Sequence, residues 1–448
     1  MLKCILLNSP IYREHRDENE EYLPPLGLGY IATHLNKAHI ETKIVDCVKN
    51  RLGIEDIFKV LKRETPDYIG INIFTQNYEI VREIVENCPI DASIIVGGQV
   101  VKCIYQDILQ WNVSNKLMVI IGEGELILPS LIQGTCSEQP VVTAEKASVY
   151  RVDKQSVYFP SDLGVTHLDR ALFKEYTITN HYGDREAAIV TSRGCMYNCA
   201  FCGGAHNLNK DSIIRYRPIS DVEQEIKTII EMMPEITSIR MLDDLFLRDQ
   251  QSIDNAVVMF NRFDNLSWRG MAHILTFAKS VESLPRLKES GCRELFIGIE
   301  SGSQNMRLKI NKPGTVDQVI SVVSSILEAG IDVKGYFMYG FPGETLSDGE
   351  ETYSLAAKLM DVSKTTEGRF RTSVFQFRPY HGTQLYNELI QKGIRIVPIE
   401  SNPTLNVIDG RSQFNFQSGN YSDIQDSDLN KLIIKTQLLS RDPNVRND

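Results

Sequence analysis

No stretch of the chain reaches the roughly 18 consecutive apolar residues that a membrane-spanning helix needs. The apolar run within residues 1–10 is too short for a signal peptide. The expectation is a soluble, cytoplasmic protein with no membrane partner. Runs of basic residues are missing as well: 48 Lys and Arg stand against 58 Asp and Glu, a formal net charge of −10, with an isoelectric point near 5.5. Such a balance lacks the cationic patch that neutralises phosphates, so no nucleic-acid partner is expected. Internal repeats and low-complexity tracts are absent. The nine cysteines are odd in number, and Cys4, Cys47, Cys88, Cys103 and Cys292 are scattered through apolar segments. This argues against a disulfide framework and for a reducing compartment. With 448 residues and 42 % hydrophobic content, there is material for two or three packed domains.

What is present is concentrated in segment 191–204. There Cys195, Cys199 and Cys202 stand at C-x3-C-x2-C spacing, after the apolar run 187–190 and before Gly203-Gly204. A [4Fe–4S] cluster has four irons and normally takes four thiolates, so three close cysteines leave one iron open to a small molecule. Two other readings are open on the residues alone: three buried thiols, or a closed zinc shell with His206 as fourth ligand. No second C-x-x-C pair exists, so no auxiliary cluster is expected. The spacing, with Phe201 just before the last cysteine, resembles the radical S-adenosylmethionine (SAM) superfamily. The resemblance implies that the open iron chelates the amino and carboxylate groups of SAM, with Phe201 beside the cofactor. It further implies that an electron, from a donor such as flavodoxin or ferredoxin, cleaves the sulfonium to start radical chemistry.

In the first third, apolar runs at 4–7, 41–48, 68–74, 93–96 and 117–121 alternate with helical patterns at 27–35, 53–62, 78–85 and 103–109. This predicts a doubly wound parallel, Rossmann-like sheet, which binds ligands beyond the carboxyl ends of its strands. Pro24-Pro25-Leu26-Gly27-Leu28-Gly29-Tyr30, Val96-Gly97-Gly98 and Gly122-Glu123-Gly124-Glu125 resemble, in order and spacing, the cobalamin-binding domain fused to many radical SAM enzymes. The resemblance implies cobalamin held near Pro25, Gly97, Gly98, Gly122 and Glu123, the glycines admitting the flat corrin edge. An Asp-x-His-x-x-Gly cobalt-ligating loop is lacking: His15 has Arg13 and Glu18 where the Asp and Gly would stand, so no histidine below the cobalt is expected.

The domains expected are 1–134 (cobalamin-type), 135–180 (linker, with a hairpin over 149–152 and 156–159), 181–392 (barrel) and 393–448 (substrate-shaping extension). From 186 the chain shows six strand–helix units, with strands near 187–191, 238–242, 267–274, 294–299, 333–338 and 372–377. Ser220 and Thr315 look like helix caps. Six units predict a partial (β/α)6 TIM-type barrel whose chemistry sits at the carboxyl ends of its strands. By the family's pattern, Asp243 and Asp244 accept from the SAM ammonium, Glu300 and Ser301 in Gly-Ile-Glu-Ser-Gly contact SAM, and Gly340 in Gly340-Phe341-Pro342-Gly343-Glu344-Thr345 clears room for it. That last segment is read mainly as structural. Arg215 and Arg217 are candidate forked partners of a carboxylate. His381 replaces a proline of the family's Pro-x-Pro-Gly-Thr pattern and is the candidate proton-transfer residue at the barrel mouth. Cys292 is expected buried. The implied activity is radical, cobalamin-dependent methyl transfer to an unreactive carbon or phosphorus of a small molecule. Cyclisation, rearrangement or transfer of another SAM fragment is the alternative enzyme reading, and a cluster-bearing sensor the non-enzymatic one.

Overall fold

The computed structural model describes residues 2–14, 22–401 and 416–440, so His15 lies outside the described residues. In the first domain β1 (Lys3–Asn8), α1 (Leu26–Lys37), β2 (Glu41–Asp46), α2 (Ile54–Glu64), β3 (Tyr68–Asn72), α3 (Tyr78–Glu86), β4 (Ser93–Gly97), α4 (Val101–Ile108), β5 (Leu117–Gly122) and α5 (Ile127–Gln133) alternate. The five strands are parallel in the order β2-β1-β3-β4-β5. Their Ile, Val and Leu side chains are buried on both faces, as helices on both sides require. One face packs on α2, α3 and α4, the other on α1 and α5.

The sheet continues beyond residue 134. After β6 (Val142–Thr143), β7 (Ala147–Val152) pairs parallel to β5, and β6 pairs antiparallel to β7. The expected hairpin of 149–152 with 156–159 does not form, because β7 completes its hydrogen bonds with β5 and β6 instead.

The second domain runs β8 (Ile178–Thr179), β9 (Arg185–Ile189), β10 (Ser192–Arg193), β11 (Arg215–Tyr216), α6 (Ile219–Met232), β12 (Ile236–Met241), α7 (Gln250–Phe260) and β13 (Ser267–Ala272). It goes on through α8 (Ile274–Phe277), α9 (Leu284–Glu289), β14 (Cys292–Glu300), α10 (Gln304–Lys309), α11 (Val316–Glu328), β15 (Asp332–Tyr339), α12 (Leu346–Ser363), β16 (Phe370–Gln376), α13 (Gln384–Gln391) and α14 (Asp426–Leu438). β9 and β12 to β16 are parallel and adjacent in chain order, an open half-barrel with β8 antiparallel on its edge. Thr315 caps α11 through the Gln318 amide N–H, whereas Ser220 lies inside α6, which starts after Pro218. Cys292 is buried at the foot of β14, and all nine cysteines are free.

The described part of the C-terminal extension reaches the ends of β15 and β16, with Ser418 Oγ donating to Phe377 O (2.9 Å) and Asp423 N–H to Glu344 O (2.9 Å). α14 buries Leu429 and Leu432 in the barrel's outer core, and Thr436 Oγ1 lies 2.7 Å from Tyr339 Oη. Its apolar side covers β15 and β16 from outside. Among the described residues no helix is long and apolar enough to cross a membrane.

Candidate active site

The cysteine loop leaves β9 and is held at its root by β10 and β11, which pair antiparallel. Gly194 takes φ +96°, a left-handed turn natural to glycine, and reverses the chain into Cys195. Further contacts pin the loop from inside: Ala200 N–H donates to Ile310 O (2.8 Å), Leu385 N–H to Ala200 O (3.0 Å) and His206 N–H to Tyr197 O (2.9 Å). Burial raises all three thiol pKa values, that of Cys202 to about 12, and the charge of Cys195 adds to the rise at Cys199 and Cys202. Such thiols ionise only when bound metal compensates the charge. His206 is exposed, and among the described residues no three His, Cys, Asp or Glu side chains close around a single metal ion.

Asp243 is buried and spent on this loop: it accepts from Thr191 N–H (3.1 Å), Thr191 Oγ1 (2.9 Å) and Ser192 Oγ. It therefore positions the cysteine loop and has no evident capacity for an ammonium, contrary to the expectation. Burial raises its pKa, and those donors pull it part of the way back. Asp244 is solvent-accessible and projects towards Cys195 and Cys202, whose pKa values its charge raises.

β14 ends in an irregularity that shifts its register against β15 between Gly298 and Glu300. Glu300 there adopts φ +65°. A carboxylate at the end of an apolar strand needs a partner, and the protein supplies one: Lys312 Nζ lies 3.2 Å from Glu300 Oε1, both side chains largely buried. Gly298 makes the fold-back possible, since a Cβ there would stand 2.4 Å from Glu300 Oε1. Lys312 also lowers the pKa of Cys195 and Cys199. Its turn is stitched to the cysteine loop, with Asn311 Nδ2 donating to Asn198 O (2.8 Å).

Ser301 turns away from the mouth, buried against Thr352 on α12 (3.1 Å). Gly340 (φ +88°) belongs to a self-contained turn in which Glu344 accepts from the Gly340 and Phe341 amides. Phe201 packs on Phe341, ring centroids 5.5 Å apart. His273 was not anticipated. It caps α8, its Nδ1 accepting from Leu275 N–H (3.2 Å), and stacks on Tyr197 of the cysteine loop at 4.0 Å. Its Nε2 is buried and unpartnered. Burial, with Lys312 and Arg307, lowers its pKa to about 2, so the ring is neutral.

Pro25, Gly97, Gly98, Gly122 and Glu123 all line one cavity of about 780 Å³ between the domains, whose far wall includes Arg193, Leu242 and Asp244. The glycines divide by role. Cβ atoms on Gly98 and Gly122 would stand 2.5 Å from Ile73 O and 2.0 Å from Val152 O, so these two serve backbone packing. A Cβ on Gly97 or Gly27 would meet nothing within 4 Å, leaving an open cradle that fits a flat ligand edge. Gly29 lets α1 approach Phe173, whose ring would be 2.3 Å from a Cβ there.

The carboxylate of Glu123 goes to the other domain: Arg193 Nη1 lies 2.5 Å from its Oε2, and Arg215 grips it as well. Arg217 pairs with Glu225. Both candidate forked arginines are thus occupied within the protein. His381 does not face the barrel mouth. It lines a second cavity, of about 690 Å³, between the first domain and residues 379–399. Its Nδ1 lies 3.1 Å from Thr75 Oγ1, and its ring packs on Tyr78 and Tyr386. The Pro-to-His change therefore builds the domain contact. Lys312 and His273 lie far from the cysteines in sequence, so no local pattern marked them; Arg193 stands two residues before Cys195, but its acidic partners belong to the other domain.

A Rossmann-like domain set over a half-barrel, with three thiols where the two meet, defines a class of cofactor-dependent enzyme. The chain matches the Radical SAM superfamily over residues 189–356 and the B12 binding domain over residues 17–132. It thus carries a radical SAM domain and an N-terminal B12-binding domain. Among its relatives, the uncharacterized methyltransferase PH0819 of Pyrococcus horikoshii is 28 % identical, covering 83 % of this chain and 79 % of that protein. The cytidylyl-2-hydroxyethylphosphonate methyltransferase of Streptomyces wedmorensis is 24 % identical, covering 89 % and 83 %. In fold it is similar to the radical SAM methyltransferase TsrM from Kitasatospora setae, solved with cobalamin and a [4Fe-4S] cluster (TM-score 0.68, 16 % identity, 99 % of this chain and 92 % of that one). It is also similar to the cobalamin-dependent enzyme OxsB with aqua-cobalamin and SAM, of whose chain it spans 66 % (TM-score 0.67, 16 % identity, 96 % of this chain).

Proposed function

We propose that the protein is a cobalamin-dependent radical SAM methyltransferase acting on a small molecule. In this reading Cys195, Cys199 and Cys202 hold a [4Fe–4S] cluster whose fourth iron takes SAM, and the interdomain cavity holds cobalamin against Gly97 and Gly27. The observation that carries the reading is the shared wall of that cavity. It runs from the open glycine cradle of the first domain to Arg193 and Asp244, beside the thiols, in the second.

When bound, the cluster with SAM supplies a radical initiator and the corrin a transferable methyl group; the protein's own groups prepare the space. Asp243 fixes the start of the cysteine loop through Thr191 and Ser192. Asp244, accepting from the Gly194 amide, keeps acceptor capacity for the SAM ammonium. Lys312, paired with Glu300, places a cation beside Cys199 and Cys195 and offsets thiolate charge. Neutral His273, whose Nδ1 accepts from Leu275 N–H, holds its proton at the buried, unpartnered Nε2 and stacks on Tyr197 of the loop. Asp46 accepts from Tyr176 Oη (2.8 Å) and helps seat the connector on the first domain. Phe201 packs under the loop and keeps its inner side dry. An external reductant such as a flavodoxin or ferredoxin and a reducing cytoplasm complete the proposal.

The test is anaerobic reconstitution with iron, sulfide and cobalamin, followed by gel filtration and product analysis with SAM and a strong reductant. Retained cobalamin and S-adenosylhomocysteine formed alongside 5′-deoxyadenosine are expected. 5′-Deoxyadenosine alone would replace methyl transfer by cyclisation or rearrangement.

A further inference from the structure

The strands of the half-barrel alternate strictly. Ile239, Trp268, Leu295, Ile297, Val333, Phe337 and Val374 are buried towards the helices, so the intervening residues face the inside. At the foot of that inner face Arg269 joins Glu186 (2.7 Å) to Glu294 (2.9 Å), and Arg371 takes the other Glu294 oxygen (2.5 Å). These acids are consumed by those two arginines. One step higher, the ring of Phe296 lies 5.2 Å from the Arg240 guanidinium, 5.5 Å from that of Arg269 and 6.0 Å from Lys334 Nζ.

Arg240 differs from its neighbours. Its Nε is buried without a hydrogen-bond partner, and among the described residues no carboxylate pairs with it. Arg240, Met271, Tyr336, Ser373 and Phe375 stay partly solvent-accessible although they sit on the inside of a sheet, so the half-barrel encloses open space. A partly buried guanidinium whose Nε–H is out of water and unpaired is costly without an anion, and its planar fork matches an oxyanion in two-point contact. Leu242, two residues further along the strand and roughly 7 Å away, already lines the interdomain cavity. A molecule held at Arg240 is therefore within a small metabolite's length of the thiol loop.

We infer that the inner face of the half-barrel is a substrate site that takes an oxyanion, a carboxylate or a phosphate, on Arg240. The molecule's body lies against Phe296 and Tyr336, and Lys334 adds to the positive field. The assignment rests on the barrel being the reaction chamber of a radical SAM enzyme.

Equilibrium dialysis of the anaerobically reconstituted protein against labelled inorganic phosphate and labelled acetate, at ionic strength held with chloride, tests it. Uptake of one probe is expected, weakened about tenfold or more in Arg240→Gln and less in Arg240→Lys, with circular dichroism unchanged. Phosphate uptake alone identifies the phosphate class; acetate uptake that phosphate does not displace identifies the carboxylate class. Equal uptake by wild type and Arg240→Gln, or no uptake of either probe by wild type, overturns the assignment. Iron is counted on the same samples. A protein without a cluster that still binds anion through Arg240 refutes the radical reading alone, and a clustered protein indifferent to Arg240 refutes the anion site alone.

Discussion

Arg193 and Glu123, from different domains, meet at 2.5 Å, and Arg193 also reaches Glu125 at 2.7 Å. Arg193 stands two residues before Cys195, so the first domain grips the cysteine loop at its root. Burial opposes the guanidinium's charge, yet Glu125 and Glu123 overcome it and raise its pKa. Gln99 and Lys102 add to the grip from the loop after β4 and the start of α4, through Gly203 O (2.8 Å) and Leu208 O (2.7 Å). The Gly-Glu-Gly-Glu motif thus works as a domain clamp at the edge of the cavity.

Breaking the clamp should loosen both cofactor sites at once. Arg193→Gln is expected to cost about 2 kcal/mol, the range for hydrogen bonds to charged groups, in urea unfolding of the apoprotein. Iron and cobalamin retention should fall together. Loss of one cofactor with full retention of the other would separate the clamp from the shared site.

Glu300 and Lys312 form a pair whose halves are worth little alone. Lys312→Met strands a buried carboxylate and Glu300→Gln strands a buried ammonium, each costing about 3 kcal/mol. The double variant should cost no more than either single one. An additive double-mutant cycle would show that the two side chains act independently.

The glycines of the second cobalamin motif make opposite predictions. Gly97→Leu points its side chain into the open cradle, so stability should hold while cobalamin retention is lost. Gly98→Ala forces a Cβ against Ile73 O at φ +130° and should destabilise the fold by roughly 2 kcal/mol. Thermal unfolding and gel filtration with cobalamin read the two effects separately.

Glu344 gives a signed pH dependence. Burial raises its carboxyl pKa to about 7, although the Gly340 and Phe341 amides pull it down. The native state therefore holds this proton more tightly than the unfolded chain. The associated stability is present below the ordinary value of 4.5 and is lost as pH rises through about 7. Glu344→Gln keeps an acceptor for both amides and removes the titration. Relative to wild type it should gain about 3 kcal/mol between pH 4 and pH 8; a pH-independent difference in chemical denaturation would contradict this.

Much of this architecture is legible in the sequence. Apolar runs of four to eight residues separated by helical periods lead to a parallel doubly wound sheet, and six further units lead to the half-barrel. β7 escaped because it docks on an edge strand at long range, and nothing in its own residues distinguishes that partner from a hairpin neighbour. The thiols are local in sequence and were legible as a set. The carboxylates were legible as functional positions but not in their partners. Asp243 is spent on Thr191, 52 residues away, Glu300 on Lys312 and Glu123 on another domain, contacts that only tertiary packing creates. His381 misled for the same reason: its substitution lies at a domain contact that no strand pattern displays.

The most direct measurement is the spectroscopic state of the iron in anaerobically reconstituted protein before and after SAM is added. The account predicts four irons per chain, a [4Fe–4S] signal that changes on SAM binding because one iron is not held by protein, and loss of the iron when Cys195, Cys199 and Cys202 are changed to Ala. A cluster unaffected by SAM, iron retained by the triple variant, or zinc in place of iron would contradict it.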